Sequence, residues 1–340
     1  VPAPKTEITE IVTGLALLGG DDLDDALGVA APPRQLHNVG TDAWHRLRDL
    51  RRDGRHREEF AAAWANGRAF LAAADGLRGR VPEAVEWKGP TRSPGDEVVP
   101  ADLRVDHVYL ISCKYLSNVL ANASPARLFD RNLAGGPSAA VATPDWFGEV
   151  APDEYQSLYD VVRREVGSRA DRLPPSAADL TPRHRVDLRA ELDAGWSTEA
   201  QAAYRELAQA VGRGSATRWK TSLRGRREQE AVLWRLLRIG SAPYFVLGAS
   251  RERTLRLRIM TPWDWRQAFT LRRVDVWGDD AGQPQVRWQA VVRDRTVGDE
   301  RTVDGHVEIR WSHGRFGRPP EAKVYLDTPH HRVPGYVTLA

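Results

Sequence analysis

A chain of 340 residues with 41% hydrophobic content is long enough for two domains and apolar enough for packed cores, which excludes a globally disordered protein. Its single cysteine, Cys113, excludes an intrachain disulfide and a cysteine-built zinc site. The net charge of +3 is unevenly spread: residues 213–340 carry 24 Lys/Arg against 14 Asp/Glu, and residues 1–212 carry 25 against 32. The C-terminal third therefore suits a polyanionic partner, or presents a solvated arginine-rich surface.

No apolar stretch approaches the roughly 18 residues that a membrane span needs. The segment "IVTGLALLGG" follows "KTEITE" and lacks the basic lead and small-residue cleavage site of a signal peptide. The expectation is a soluble, cytoplasmic protein without a membrane partner. Residues 5–80 read as helices: "DDLDDALGV", "DAWHRLRDLRRDG" and "REEFAAAWANGRAFLAAADGL" place apolar residues at three and four spacing, and the second closes on Gly. The next stretch holds short β-like runs, "AVEW" and "EVV", among Pro and Gly. A hairpin is expected at 101–115. "SPARLFDRNLAGG" then has a Ser-Pro start and a Gly-Gly stop, and "TPDWFGEVAPDEYQSLYDVVRREVG" continues helically. After a Pro-rich break at 172–182, "STEAQAAYRELAQAVG" and "GRREQEAVLWRLLRIG" predict two more helices. From about residue 243, "YFVLGA", "TLRLRIM", "FTLRRVDVW", "VRWQAVVRD", "GHVEIRW" and "AKVYLD" read as strands of a C-terminal β-rich module. The expected organisation is a helical region over 1–80, an α/β core over 81–182, and a helical segment plus basic β-rich module over 183–340.

The hairpin "PADLRVDHVYLISCKY" carries the chemistry. Side chains alternate faces along a strand, so register decides which residues meet. A two-residue turn at Asp106-His107 would pair Leu103 with Leu110 and turn Asp102 away from Ser112 and Lys114. A three-residue turn at 106–108 pairs Val105 with Tyr109, Leu103 with Ile111 and Asp102 with Ser112. One face is then apolar (Leu103, Val105, Tyr109, Ile111, Cys113) and the other carries Asp102, Arg104, Leu110, Ser112 and Lys114. The second register separates the faces better and is the one expected. It places a carboxylate and a lysine within reach of one small ligand. A carboxylate suits a hard divalent cation, the main-chain carbonyl of Cys113 can add an oxygen, and a lysine can stabilise charge on a phosphate. Ser112 can hold a water. The plainer reading is a cross-strand ion pair, worth tenths of a kcal/mol.

"PAD" followed by "SCK" at the end of the next strand resembles the PD-(D/E)XK restriction-endonuclease-like superfamily. The resemblance implies an α/β core with a mixed sheet and Mg²⁺- or Mn²⁺-dependent hydrolysis of phosphodiesters. It implies Asp102 as the metal-binding Asp and Lys114 as the catalytic Lys. The chain departs from the pattern in two places: Ala101 separates Pro100 from Asp102, and Ser112 replaces the acid. A subgroup of these enzymes carries the same Ser and takes its missing carboxylate from elsewhere. Here Glu86 in "VEWKG", Asp130 in "SPARLFDRNL" and Glu97 are the candidates, with Glu86 ranked first because it lies in an otherwise apolar run. The resemblance covers residues 86–130.

Two basic clusters suit nucleic acid. Arg218, Lys220, Arg224, Arg226 and Arg227 are expected to flank a helix N-terminus, a place where phosphate binds. Arg310, Arg315 and Arg318 alternate with Trp311 and Phe316, which suits phosphate pairing and base stacking. His306, Glu308 and His313 form a weaker metal-ligand candidate. Walker, GxSxG, HExxH and dinucleotide fingerprints are absent from the sequence. The expected function is a Mg²⁺-dependent DNA endonuclease in restriction or defence. A homodimer would serve double-strand cleavage, and a restriction role would pair the enzyme with a cognate methyltransferase. The rivals are a non-catalytic nucleic-acid-binding module, a nuclease for RNA or single strands, and a protein-interaction module.

Overall fold

The structure, a computed structural model, describes residues 3–89, 101–134, 145–166, 172–192, 195–249, 253–279 and 282–340. The fold is mixed α+β, as expected. In chain order the main elements are α1 (Pro4–Glu7), a π-helical turn (Ile8–Val12), α2 (Thr13–Ala16), α3 (Leu23–Gly28), β1 (Leu36–His37), α4 (Thr41–Asp53), α5 (Arg57–Ala72), β2 (Val85–Trp87), β3 (Leu103–Val105) and β4 (Tyr109–Tyr115). There follow β5 (Val119–Ala123), α6 (Pro125–Phe129), α7 (Trp146–Val150), α8 (Pro152–Glu165), α9 (Pro182–Glu191), α10 (Thr198–Ser222) and α11 (Arg226–Leu237). The chain ends with β6 (Tyr244–Ala249), β7 (Thr254–Ile259), α12 (Pro262–Ala268), β8 (Phe269–Asp279), β9 (Gln285–Asp294), β10 (Glu300–Arg310), β11 (Glu321–Leu326), a 3₁₀ turn (His330–Arg332) and β12 (Tyr336–Thr338).

The chain forms two compact units, and neither is continuous in sequence. The first takes residues 1–118, 238–268 and 329–340; the second takes 119–237 and 269–328. This departs from the sequential boundaries expected at 80 and 182. Strands β6 and β7 carry the same apolar pattern as the strands after them, but they pair with the hairpin: β4 runs parallel to β6, and β6 antiparallel to β7. Strand pattern reports a half-buried surface without naming the sheet that uses it.

In the first unit a mixed sheet has the order β1-β2-β3-β4-β6-β7-β12. The hairpin adopts the three-residue register, with Leu103 opposite Ile111 and Val105 opposite Tyr109. Asp106 and His107 turn the chain with positive φ of 47° and 61°. The apolar face of the sheet, with Val85, Trp87, Leu103, Val105, Ile111, Phe245 and Leu247, packs on Ile8, Ile11, Val12, Leu15, Phe60 and Phe70 of the N-terminal helices. The helices close tightly because α5 presents a glycine: a Cβ on Gly67 would stand 2.3 Å from the Thr13 carbonyl oxygen. Asp22 caps α3 through its carboxylate, and Gly54, at φ 75°, terminates α4.

The second unit holds an antiparallel sheet of order β5-β11-β10-β9-β8. This is the C-terminal β-rich module, completed by β5 from well before it in sequence. Helix α10 does not stop at Gly212 as its pattern suggested but runs on to Ser222. Gly212 and Gly214 are close-approach positions within it: added Cβ atoms would meet the Gln285 and Val150 carbonyl oxygens at 2.9 and 2.7 Å. Helix α9 begins where the expected break ends, opened by a Thr181 capping box with Pro182 at its first position.

Gly248 sits on β6 beside Lys114, and a Cβ there would lie 1.8 Å from the Lys114 carbonyl oxygen. Gly248→Ala is expected to cost about 3 kcal/mol, measured as a lowered urea midpoint with an unchanged slope.

Candidate active site

The second face of the first sheet is polar where the apolar face is not. Strand alternation and the pairings put Glu86, Asp102, Arg104, Leu110, Ser112, Lys114, Tyr244, Val246 and Gly248 on this face. Asp102 Oδ2 accepts hydrogen bonds from the Ser112 hydroxyl at 3.1 Å and the Cys113 backbone N–H at 2.7 Å. The Asp102 N–H donates to the Ile111 carbonyl at 2.9 Å, and its carbonyl accepts from the Lys88 N–H at 2.9 Å. The carboxylate is thus fixed at the hairpin base, opposite Ser112 as the expected register required.

Ser112, only 3% exposed, is itself held. The phenol of Tyr244 hydrogen-bonds to it. A carboxylate can only accept, so the Ser112 hydroxyl gives its proton to Asp102 and takes one from Tyr244. Burial pushes the Tyr244 phenol up to about 12, which keeps that proton in place at neutral pH. Ser112 therefore orients the carboxylate opposite it.

Lys114 is half-buried. Burial pulls its ammonium below the usual lysine range; the charge of Asp102 opposes that, and the charge of Arg238 adds to it. Arg238 follows α11 in a left-handed conformation, φ 61°. His330, in the 3₁₀ turn, packs its ring 6.2 Å from that of Tyr336. Burial, the charge of Lys114 and that of His331 hold its imidazole below the usual histidine range. The site therefore draws on β3, β4, the residue after α11, β6 and the C-terminal turn. Arg238, Tyr244 and His330 carry no motif, and their relation to the hairpin exists only once β4 and β6 pair.

Cys113 turns its thiol to the core. Burial, then the charges of Asp102 and Glu10, push the thiol well above the usual range, and Thr13 hydrogen-bonds to it. Only its main chain faces the carboxylate. Glu10 lies on the π-helical turn and accepts the Trp87 indole N–H at 2.6 Å. Its charge bears on both Cys113 and Lys114. It is a first-helix acid in a buried apolar run, and that position was the available signal for it.

The sequence-based candidates for a second carboxylate fare differently. Glu86 is engaged by the Arg104 guanidinium, with one contact at 2.8 Å, and its Oε2 lies 3.3 Å from His107 Nδ1. Arg104, with the other nearby cations, holds its carboxyl below the usual range against the burial that would raise it. Asp130 belongs to the second unit and is held bidentately by Arg218 at 2.9 and 3.0 Å. Pro100 and Glu97 lie outside the described residues. Asp102 is thus not joined by Glu86 or Asp130. A carboxylate facing an arginine across one strand pair takes that partner, and sequence spacing does not reveal it.

The basic residues separate likewise. Arg224, Arg226 and Arg227 stand at the N-terminus of α11, while Arg218 and Lys220 belong to the end of α10, so the cluster straddles the junction of the two helices. Arg226 donates to the Leu271 carbonyl and Arg310 pairs with Glu308 at 3.1 Å, while Lys220, Arg224, Arg227, Arg315 and Arg318 are exposed. His306, Glu308 and His313 do not converge: His306 binds Asp327 at 2.8 Å, Glu308 takes Gln283 and Arg310, and His313 faces Glu321 at 3.5 Å.

Among the described residues no group of three or more His, Cys, Asp or Glu side chains could enclose a metal ion. Mg²⁺ does not require such a cage. It keeps several waters and is held by one or two carboxylates plus substrate phosphate. Asp102 fits that mode and does not fit a closed all-protein site, while Glu10 bonds the Trp87 indole on the apolar side of the sheet. No family model, curated protein or solved structure matches the chain.

A buried ammonium with a lowered pKa destabilises the fold below that pKa, and the penalty is relieved as pH rises towards the unfolded value near 10.5. Lys114→Met is therefore expected to melt at the same temperature as the parent or a few degrees higher at pH 7, with the advantage shrinking towards pH 10. Thermal unfolding of both proteins at the two pH values checks the sign.

Proposed function

We propose that the chain is a Mg²⁺-dependent endonuclease acting on DNA, in restriction or another defence role. The observation that carries this reading is Asp102 fixed by Ser112 and the Cys113 N–H at the end of a mixed sheet, with Lys114 on the same face. The mixed sheet agrees with what the resemblance to the PD-(D/E)XK superfamily implies.

Asp102 would hold the ion, with waters and the substrate phosphate completing its shell. The bound ion would supply Lewis-acid stabilisation of the phosphate and an acidified water. Ser112 and Tyr244 keep Asp102 in one orientation, so little reorganisation remains when substrate arrives. Lys114 and Arg238 place two cations where negative charge grows on the non-bridging oxygens. A half-buried cation acts there more strongly than one in water, because the local dielectric is low. The lowered pKa of Lys114 also brings it nearer the range in which it can exchange a proton with the attacking water. His330 stays uncharged at neutral pH and offers a ring nitrogen as a hydrogen-bond acceptor beside Lys114.

DNA is the favoured substrate because the second unit carries Lys220, Arg224 and Arg227 exposed at one helix junction, where they can meet phosphates. Cutting both strands would call for two chains, most simply a homodimer, and restriction would call for a cognate methyltransferase. No described helix is long and apolar enough to cross a membrane.

Plasmid and phage DNA incubated with Mg²⁺ or Mn²⁺ should be cut by the parent chain and not after chelation. Asp102→Asn and Lys114→Met should each lower the rate at least about 100-fold. Equal cleavage by parent and both variants would remove the hairpin from the chemistry. Ser112→Ala should lower the rate less, by about tenfold, since the Cys113 N–H still holds the carboxylate.

A further inference from the structure

The second unit carries an aromatic cluster that the proposed chemistry does not use. Trp196 stands just before α10, Tyr204 lies on that helix, Trp311 follows β10, and Arg315 lies between β10 and β11. Trp196 and Tyr204 meet edge to face, with centroids 4.8 Å apart. Tyr204 and Trp311 lie 6.3 Å apart at 26°. Trp311 is anchored from behind by Phe147 at 4.9 Å and Phe316 at 4.7 Å. The three rings Trp196, Tyr204 and Trp311 are partly buried. The Arg315 guanidinium lies 4.5 Å over the Trp196 ring.

Three features mark this as more than surface packing. Arg315 is exposed and forms no ion pair among the described residues, so its guanidinium is open to an anion. The indole N–H groups of Trp196 and Trp311 are closed from water and have no acceptor among the described residues. The cluster is rooted in the core through Phe147 and Phe316, and the exposed Arg315 guanidinium over Trp196 forms its outer layer. A cationic ligand is disfavoured, because Arg315 already covers the face of Trp196. A planar, electron-rich ring joined to an anion fits best: the ring stacks on the outer plane of the guanidinium, and the guanidinium edge donates to the anion.

We propose that Trp196, Tyr204, Trp311 and Arg315 form a stacking site for one unpaired nucleobase, with Arg315 also binding the phosphate of that nucleotide. The proposal rests on the nucleic-acid reading above but not on the cleavage chemistry. It gives the second unit a preference for unstacked bases, in a single strand or extruded from a duplex.

The test uses the full chain in EDTA with a fluorescent single-stranded 12-mer of deoxythymidine, a duplex of the same length, and a single strand carrying one 2-aminopurine. Anisotropy should show the single strand bound more tightly than the duplex, and 2-aminopurine emission should fall on binding. Trp196→Leu should weaken single-strand binding about tenfold and abolish the emission change. Trp196→Phe should restore most of both. Arg315→Gln should reduce the slope of log affinity against log salt by about one contact. Equal single-strand affinity in Trp196→Leu and the parent would overturn the proposal, as would unchanged 2-aminopurine emission or failure of the parent to bind the single strand. A parent that cuts no DNA but shows the stacking signal would remove the nuclease reading and leave this site standing.

Discussion

One carboxylate oxygen organises the first unit's polar face. Asp102 Oδ2 receives the Ser112 hydroxyl and the Cys113 N–H, both from the neighbouring strand. Those two bonds require the three-residue turn, because any one-residue slip would move Ser112 to the opposite face. The same register buries Leu103, Val105 and Ile111 against the N-terminal helices. Core packing and carboxylate placement therefore have a single cause. Neither can change without the other.

The charge arrangement around that carboxylate is costly to fold. Lys114 lies half-buried near Arg238, and the like charge adds to the desolvation that already disfavours its ammonium. Tyr244 fills the face beside Ser112 at 4% exposure. An apolar residue at 114 would pack with less penalty, since a buried ion pair is often no more stable than a hydrophobic replacement. Such destabilising groups cluster where a protein acts on a charged ligand. Gly248 belongs to the same arrangement, because it lets β6 approach the Lys114 backbone and brings Tyr244 and Arg238 to the hairpin.

Much of the local structure was legible from residue pattern. The hairpin register, α4, α5, α8 and α11 follow from alternation, three-four spacing and capping residues. What pattern could not convey was which strands share a sheet. The runs "YFVLGA" and "TLRLRIM" look like their C-terminal neighbours, yet the first pairs with β4, where Tyr244 meets Leu110, and draws the second into the same sheet, while β5 makes the reverse exchange. Half of the candidate site was legible for the same reason. Asp102, Ser112 and Lys114 are local to one hairpin, whereas Arg238, Tyr244 and His330 arrive through long-range pairing and a terminal turn. Glu86 and Asp130 had the right chemistry but are occupied by Arg104 and Arg218, partners that spacing does not reveal. Glycine misled at α10, where Gly212 and Gly214 serve close packing against backbone and not helix termination.

The central claim is that Asp102 is a cation ligand and not only the acceptor of two internal hydrogen bonds. Calorimetric titration of Mn²⁺ into the chain, in the presence of a duplex made uncleavable by phosphorothioate linkages, tests it most directly. One binding event per chain, lost in Asp102→Asn and retained in Lys114→Met, is the predicted result. Undiminished Mn²⁺ binding in Asp102→Asn would contradict the account and return the carboxylate to a structural role.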